Sequence, residues 1–102
     1  MTRIEQAPEF LTDFDRIIDH LQQFGAHSIE ARIAEIVDAI QILSHSPLIG
    51  RKVKGGKREL VIGRESHGYV GLYRYVSDID VAFVLAVRAR RESSFFKRKP
   101  AL

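Results

Sequence analysis

The sequence predicts an α+β domain, an N-terminal helical hairpin packed on a mainly antiparallel four-stranded sheet. Three observations carry this. Apolar residues up to Leu43 recur at helical spacing. Beyond a loop with Pro47 and three glycines, the period changes to two. The alternating runs that follow are separated by turn residues rather than helices, which favours antiparallel pairing.

The elements follow in order. In Thr2–Ala7 the apolar Ile4 is flanked by polar residues, which reads as a short strand. Pro8 starts the first helix, where its missing N–H costs nothing. Phe10, Leu11, Phe14, Ile17, Ile18, Leu21 and Phe24 form its apolar stripe, with Asp13, Asp15 and Asp19 between them. Gly25 ends it. Ser28 caps a second helix, and Glu30 in its first turn suits the helix dipole. Ile29, Ile33, Ile36, Val37, Ile40 and Leu43 make its apolar face. Such stripes are core surfaces, and a short turn between two helices makes an antiparallel hairpin. The segment from Ser46 to Lys57 carries loop signals and a run of basic residues. Strands then follow at Arg58–Arg64, with Leu60 and Ile62 on one face, and at Tyr69–Val76. In the second of these Tyr69, Gly71, Tyr73 and Tyr75 share a face. The run Val81–Val87 is apolar throughout, as in a strand covered on both sides.

The 102 residues make one domain, 1–94, followed by a basic tail, 95–102. There is no cysteine, which removes disulfides and thiolate metal sites and is compatible with a reducing cytoplasm. Glu5, Glu9 and Asp13 interrupt any secretory signal, and no apolar run is long enough for a membrane helix. A cytoplasmic protein without membrane contact is therefore expected. Charge is unevenly placed. Residues 1–50 hold three arginines against eight acidic residues, and residues 51–102 hold thirteen basic against five acidic ones. That layout predicts a basic face with a polyanionic or acidic partner.

The histidines at 20, 27, 45 and 67 are scattered, with no metal-ligand spacing. Gly55-Gly56-Lys57 lacks the spacing and the Ser/Thr of a phosphate-binding loop. No cofactor is expected. The chemistry lies in a basic constellation with three parts: Arg51, Lys52, Lys54, Lys57 and Arg58; Arg64 and Arg74; Arg88, Arg90 and Arg91. Antiparallel pairing can gather parts of all three on one side of the sheet. Tyr69, Tyr73 and Tyr75 are candidates to stack on bases, or to pack under the helices. Metal-free RNA cleavage also needs an acid and a base. The nearby candidates are Glu59, Glu65, His67, Tyr69 and Glu92, and Glu59 and Glu92 each follow an arginine that can neutralise them.

The order of these motifs resembles the RelE/ParE superfamily of type II toxin–antitoxin toxins over nearly the whole chain. Pro47, Gly50 and Arg51 match a P-x-x-G-R loop. Arg58, Glu59 and Leu60 match an R-E-L strand. Tyr69 and Tyr73 match Y-x-x-x-Y, and Arg90 and Arg91 match the end of V-x-x-H-x-R-R. The resemblance implies a helical hairpin on a four-stranded sheet, and an antitoxin that buries apolar grooves of the toxin. An acidic C-terminal antitoxin segment would suit the basic half; no residue is assigned to that contact. RelE-like members of the superfamily cleave mRNA on the ribosome, and ParE-like members poison DNA gyrase. Lys57 and Arg91 fall where the ribonucleases keep basic residues. Val70, however, stands where an arginine follows their Gly-Tyr pair, and Arg88 replaces the frequent histidine. Phe95, Phe96 and Lys97 occupy the tail where a catalytic tyrosine is needed. These departures favour the ParE-like branch. Its target-binding set is expected to be Arg51, Lys54, Lys57, Arg58, Arg64, Arg74, Arg88, Arg90 and Arg91. The alternative is a ribosome-dependent endoribonuclease, with Lys57, Arg58 and Arg91 on phosphate and Glu59 or His67 as base.

Overall fold

A computed structural model describes residues 1–23, 29–63 and 68–90. The elements in chain order are β1 (Arg3–Gln6), α1 (Pro8–Gln23), α2 (Ile29–Ile42), β2 (Arg51–Val53), β3 (Lys57–Ile62), β4 (Tyr69–Val76) and β5 (Val81–Ala89). The sheet order is β1-β5-β4-β3-β2. The fold is α+β, as the change of period predicts. The sheet, however, has five strands rather than four, and it is mixed. β1 runs parallel to β5, pairing Arg3–Gln6 with Val81–Val84, while the other neighbours are antiparallel.

The additional strand is β2, in a segment whose glycines and lysines signal a loop. Its three residues lie opposite Lys57–Glu59. The turn that returns the chain holds Gly55 and Gly56 at φ 81° and 72°, values at which a side chain is strained. The glycines thus mark a tight hairpin turn between strands rather than an extended loop.

Pro8 is the first residue of α1, and α2 begins at Ile29. Gly25, Ser28 and the tail 95–102 lie outside the described residues. The core lies between the helices and one face of the sheet. Phe10 from α1, Ile36 and Ile40 from α2, and Leu43 meet Leu60, Ile62, Tyr69, Tyr73, Ala82, Val84 and Val87. Phe10 and Phe14 stack along α1 with ring centroids 5.7 Å apart. Leu11 and Val37, expected on the apolar stripes, are 46% and 41% exposed. No helix among the described residues is long and apolar enough to cross a membrane.

One irregularity sets the faces of the sheet. Leu72 lies opposite Ala86, but Tyr73 lies opposite Val84, so Leu85 is an extra residue in β5. This β-bulge shifts the alternation by one place. Ala82 and Val84 face the core before it, and Val87 and Ala89 after it.

Candidate functional site

Alternation and register define the face of the sheet turned away from the core. With Tyr69, Gly71 and Tyr73 on the core side, Val70, Leu72 and Arg74 point to the open side. Their partners follow: Val61 and Arg88 flank Val70, Glu59 and Ala86 flank Leu72, and Phe83 lies opposite Arg74. Lys57 joins them from β3, and Arg51 lies opposite Glu59 from β2. The open face therefore collects Arg51, Lys57, Arg74 and Arg88 from four strands. A groove of about 510 Å³ runs between this face and α1, with Leu72, Leu85 and Ala86 as apolar lining and Lys57, Arg88, Glu9, Thr12 and Asp13 around them.

The charges of this face differ in how they are held. Arg51 Nη2 lies 2.6 Å from Glu59 Oε1, with Arg51 largely exposed and Glu59 nearly covered. Arg74 Nη2 donates to the Gly55 carbonyl at 3.0 Å, bracing the β2–β3 turn. Arg88 Nη1 lies 2.6 Å from Asp13 Oδ1. Lys57 makes no ion pair among the described residues. Its ammonium is the cation of the groove most available to a ligand.

Asp13 is a residue that periodicity places among the polar positions of α1. It is only 6% exposed. Its Oδ1 accepts from Arg16 Nη2 at 2.7 Å and from Arg88 Nη1. Its Oδ2 accepts from the backbone N–H of Val87 at 3.1 Å. A buried carboxylate with these partners is satisfied, as burial of a charge requires. The one sequence signal for it is its place in α1 between Phe10 and Phe14, inside the apolar stripe.

Arg58, expected at the target, lies on the other side. Its Nη1 donates to the carbonyls of Leu48 (3.1 Å) and Gly50 (2.8 Å). Opposite it on β4, the Tyr73 hydroxyl accepts from the Gly50 N–H at 2.8 Å and donates to the Pro47 carbonyl at 2.8 Å. Burial pushes the Tyr73 phenol above its ordinary 10.0, while the Gly50 N–H and the Arg58 charge pull it down less strongly. Gly50 is required by space: a Cβ there would sit 2.7 Å from Tyr73 Cε1 and 2.8 Å from the Glu59 carbonyl oxygen. Pro47, Gly50, Arg58 and Tyr73, scattered through the motifs of the sequence, are thus one set of contacts that fastens the 47–50 loop to the sheet.

Of the tyrosines, Tyr69 and Tyr73 are buried in the core and offer no ring to a base. Tyr75 donates to Asp80 Oδ1 at 2.7 Å, and the Thr2 hydroxyl donates to the same oxygen at 2.7 Å. The Asp80 hydrogen bond raises the Tyr75 phenol, with smaller contributions from burial and the carboxylate charge. The two hydroxyls, Thr2 first, hold the Asp80 carboxyl below its ordinary 3.8.

The expected site residues divide accordingly. Arg51, Lys57, Arg74 and Arg88 share the open face with Glu59. Lys54 lies exposed in the β2–β3 turn, and Arg90 exposed at the end of β5, where its N–H donates to the Gly68 carbonyl at 3.0 Å. Arg64, His67 and Arg91 lie outside the described residues. Among the described residues no three His, Asp or Glu side chains converge as metal ligands.

With this geometry in hand, residues 4–94 match the family described as ParE toxin of type II toxin–antitoxin system, parDE. The chain belongs to the ParE toxin family. Among solved structures, a chain of the chromosomal ParDE toxin–antitoxin system from P. aeruginosa is similar over 87% of this chain and 96% of that one, with 19% identity and a TM-score of 0.69. The intact E. coli RelBE toxin–antitoxin complex contains a chain similar over 85% of this chain and 94% of that one, at 17% identity and a TM-score of 0.61. A double-arginine variant of E. coli RelE in the free state is similar over 90% of this chain and 86% of that one, at 17% identity and a TM-score of 0.62. A search of the curated proteins finds no match. These TM-scores establish a shared fold between the ParE-family chain and both kinds of toxin.

Proposed function

We propose that this ParE-family protein is a toxin that inhibits DNA gyrase by binding it, and that a cognate antitoxin with an acidic segment neutralises it in the cytoplasm. The observation that carries the reading is the state of the open face. Four cations from four strands converge there, and two of the carboxylates near them are already engaged. Glu59 is held by Arg51 and Asp13 by Arg88 and Arg16. With both of these carboxylates held in ion pairs, the face presents cations from four strands and suits the binding of an acidic surface. Family membership supports the toxin assignment, and the fold shared with a ParDE toxin–antitoxin system supports an antitoxin partner.

On this reading Arg51, Lys54, Lys57, Arg64, Arg74, Arg88, Arg90 and Arg91 make contact with the target. Arg58 supports the face from behind. A supercoiling assay with purified gyrase is the test. Inhibition that weakens as salt screens the basic face is expected; normal supercoiling at saturating toxin overturns the proposal. Two observations favour a second reading, ribosome-dependent mRNA cleavage: the fold is shared with RelE, and Lys57 is available on the open face. Programmed ribosomes and primer extension decide it. Cuts in the ribosomal A site would move the assignment to the endoribonuclease, and intact message would leave gyrase.

A further inference from the structure

We infer that Asp13 is a positioning residue that fixes the bulge of β5 and thereby aims Arg88 at the open face. The inference rests on the proposed function only where Arg88 is concerned; the geometry of β5 stands apart from any target. Before the bulge, Ala82 and Val84 face the core. Continued alternation would bring Ala86 and Arg88 to the core side and send Val87 out. The extra residue Leu85 reverses this, so that Val87 is buried and Arg88 lies opposite Val70 on the open face. A bulge leaves backbone groups without a ladder partner. β1 pairs with β5 only as far as Val84, and Ala7 then takes the Val84 carbonyl. Beyond that point the edge of β5 is flanked by α1, and the Val87 N–H there donates to Asp13 Oδ2.

The same carboxylate acts at both ends of the problem. One oxygen fastens the shifted backbone, and the other holds the Arg88 guanidinium that the shift has turned outward. Arg16, from the next turn of α1, contributes the second cation. A carboxylate has acceptors on both oxygens. An asparagine has one acceptor and would set an NH₂ either against the Val87 N–H or against the two arginines. Asp13→Asn is therefore close in shape but cannot serve both contacts.

The unmodified protein provides the first measurement. A through-bond NMR correlation between the Val87 amide nitrogen and the Asp13 carboxyl carbon is expected, and its absence overturns the inference whatever any variant does. Val87 amide exchange is then compared across variants. Asp13→Asn should speed it at least about tenfold relative to Val84, which is the loss of one hydrogen bond of typical net strength. Arg88→Ala should leave it unchanged. Equal exchange in native protein and Asp13→Asn overturns the inference. The gyrase assay supplies the second arm. Asp13→Asn and Arg88→Ala should each weaken inhibition, and the double variant should be no weaker than Arg88→Ala alone. Additive losses would sink the claim that Asp13 acts through Arg88. If Arg88→Ala inhibits as well as native protein, the target role of Arg88 fails, and the positioning of β5 is then judged on the Val87 measurements alone.

Discussion

Lys57 and Arg58 are neighbours in sequence, carry the same charge and lie on opposite faces of β3. Arg58 turns toward the helices' side and spends its guanidinium on the carbonyls of Leu48 and Gly50. Lys57 turns to the open side, beside a groove, with no ion pair among the described residues. The difference comes from the strand's period of two, not from chemistry. A basic cluster on a strand is therefore two populations, one available to partners and one that holds the fold together. The fold-holding population here coincides with much of the motif that runs through Pro47, Gly50, Arg58 and Tyr73.

Breaking the inner set should have the largest effects, and these should be read as stability. Gly50→Ala forces a Cβ against the Tyr73 ring and the Glu59 carbonyl oxygen. The second is backbone and cannot rotate away, so a loss of about 3 kcal/mol is expected in urea denaturation. Tyr73→Phe strips the Gly50 N–H and the Pro47 carbonyl of their shared partner. About 2 kcal/mol should be lost, because a buried donor is left unsatisfied. If thermal unfolding of Tyr73→Phe matches native protein, water reaches the site and the loop is not fastened as described.

The direct comparison comes next in size. Arg58→Ala should cost about 1.5 kcal/mol of stability through its two carbonyl contacts. Lys57→Ala should leave stability within about 0.5 kcal/mol and instead raise the toxin concentration for half-inhibition of gyrase about tenfold, the equivalent of one good charged contact. Reversed outcomes, with Lys57→Ala unfolding and Arg58→Ala only failing to inhibit, would invert the two populations.

The smallest effect concerns pH. The Asp80 carboxyl is held below its ordinary 3.8 by the Thr2 and Tyr75 hydroxyls. Its contribution to stability is complete above that ordinary value and is lost as pH falls through the lower folded value. Asp80→Asn tests this without backbone strain, since asparagine tolerates the φ of 53° found at that position. The acid limb of a Tm-against-pH curve should be shallower in the variant. At the alkaline end the buried Tyr73 phenol acts in the opposite sense. Its stabilisation is complete below its ordinary 10.0 and falls as pH climbs through the raised folded value. Tyr73→Phe should remove that part of the alkaline loss.

The helices, β3 and β4 were legible because each expresses its own period, Phe10, Phe14, Ile17 and Leu21 along α1 and Leu60 and Ile62 along β3, and β5 was legible as a continuous apolar run. β2 was not, since three residues beside glycines carry no period, and their pairing with β3 is a property of the neighbour. The parallel partner of β1 was hidden for a related reason. Ile4 reports a strand, but nothing local reports that Val81–Val84 will lie beside it. The bulge at Leu85 was invisible because Val81–Val87 is apolar on both faces and has no alternation to break. Only its place between Phe10 and Phe14 hints at the burial of Asp13, because its Val87 partner lies beyond that bulge. For the candidate site, the cations were legible as a set from composition. Which of them face outward was not, because strand phase decides it, and phase sets Arg58 on the face opposite Lys57.

The sheet also has a temporal consequence. β5 sits between β1 and β4, yet it follows every other described strand in the chain. β1 waits for a partner whose register begins 78 positions after its own first residue, Arg3 opposite Val81. A ribosome emits residues in order, so the nascent chain can form helices and the β2–β3–β4 meander but cannot complete the sheet until β5, which joins β1 to β4, emerges. The face bearing Arg88 is completed only after every other described strand has been made, and until then the antiparallel meander has no β5 beside it.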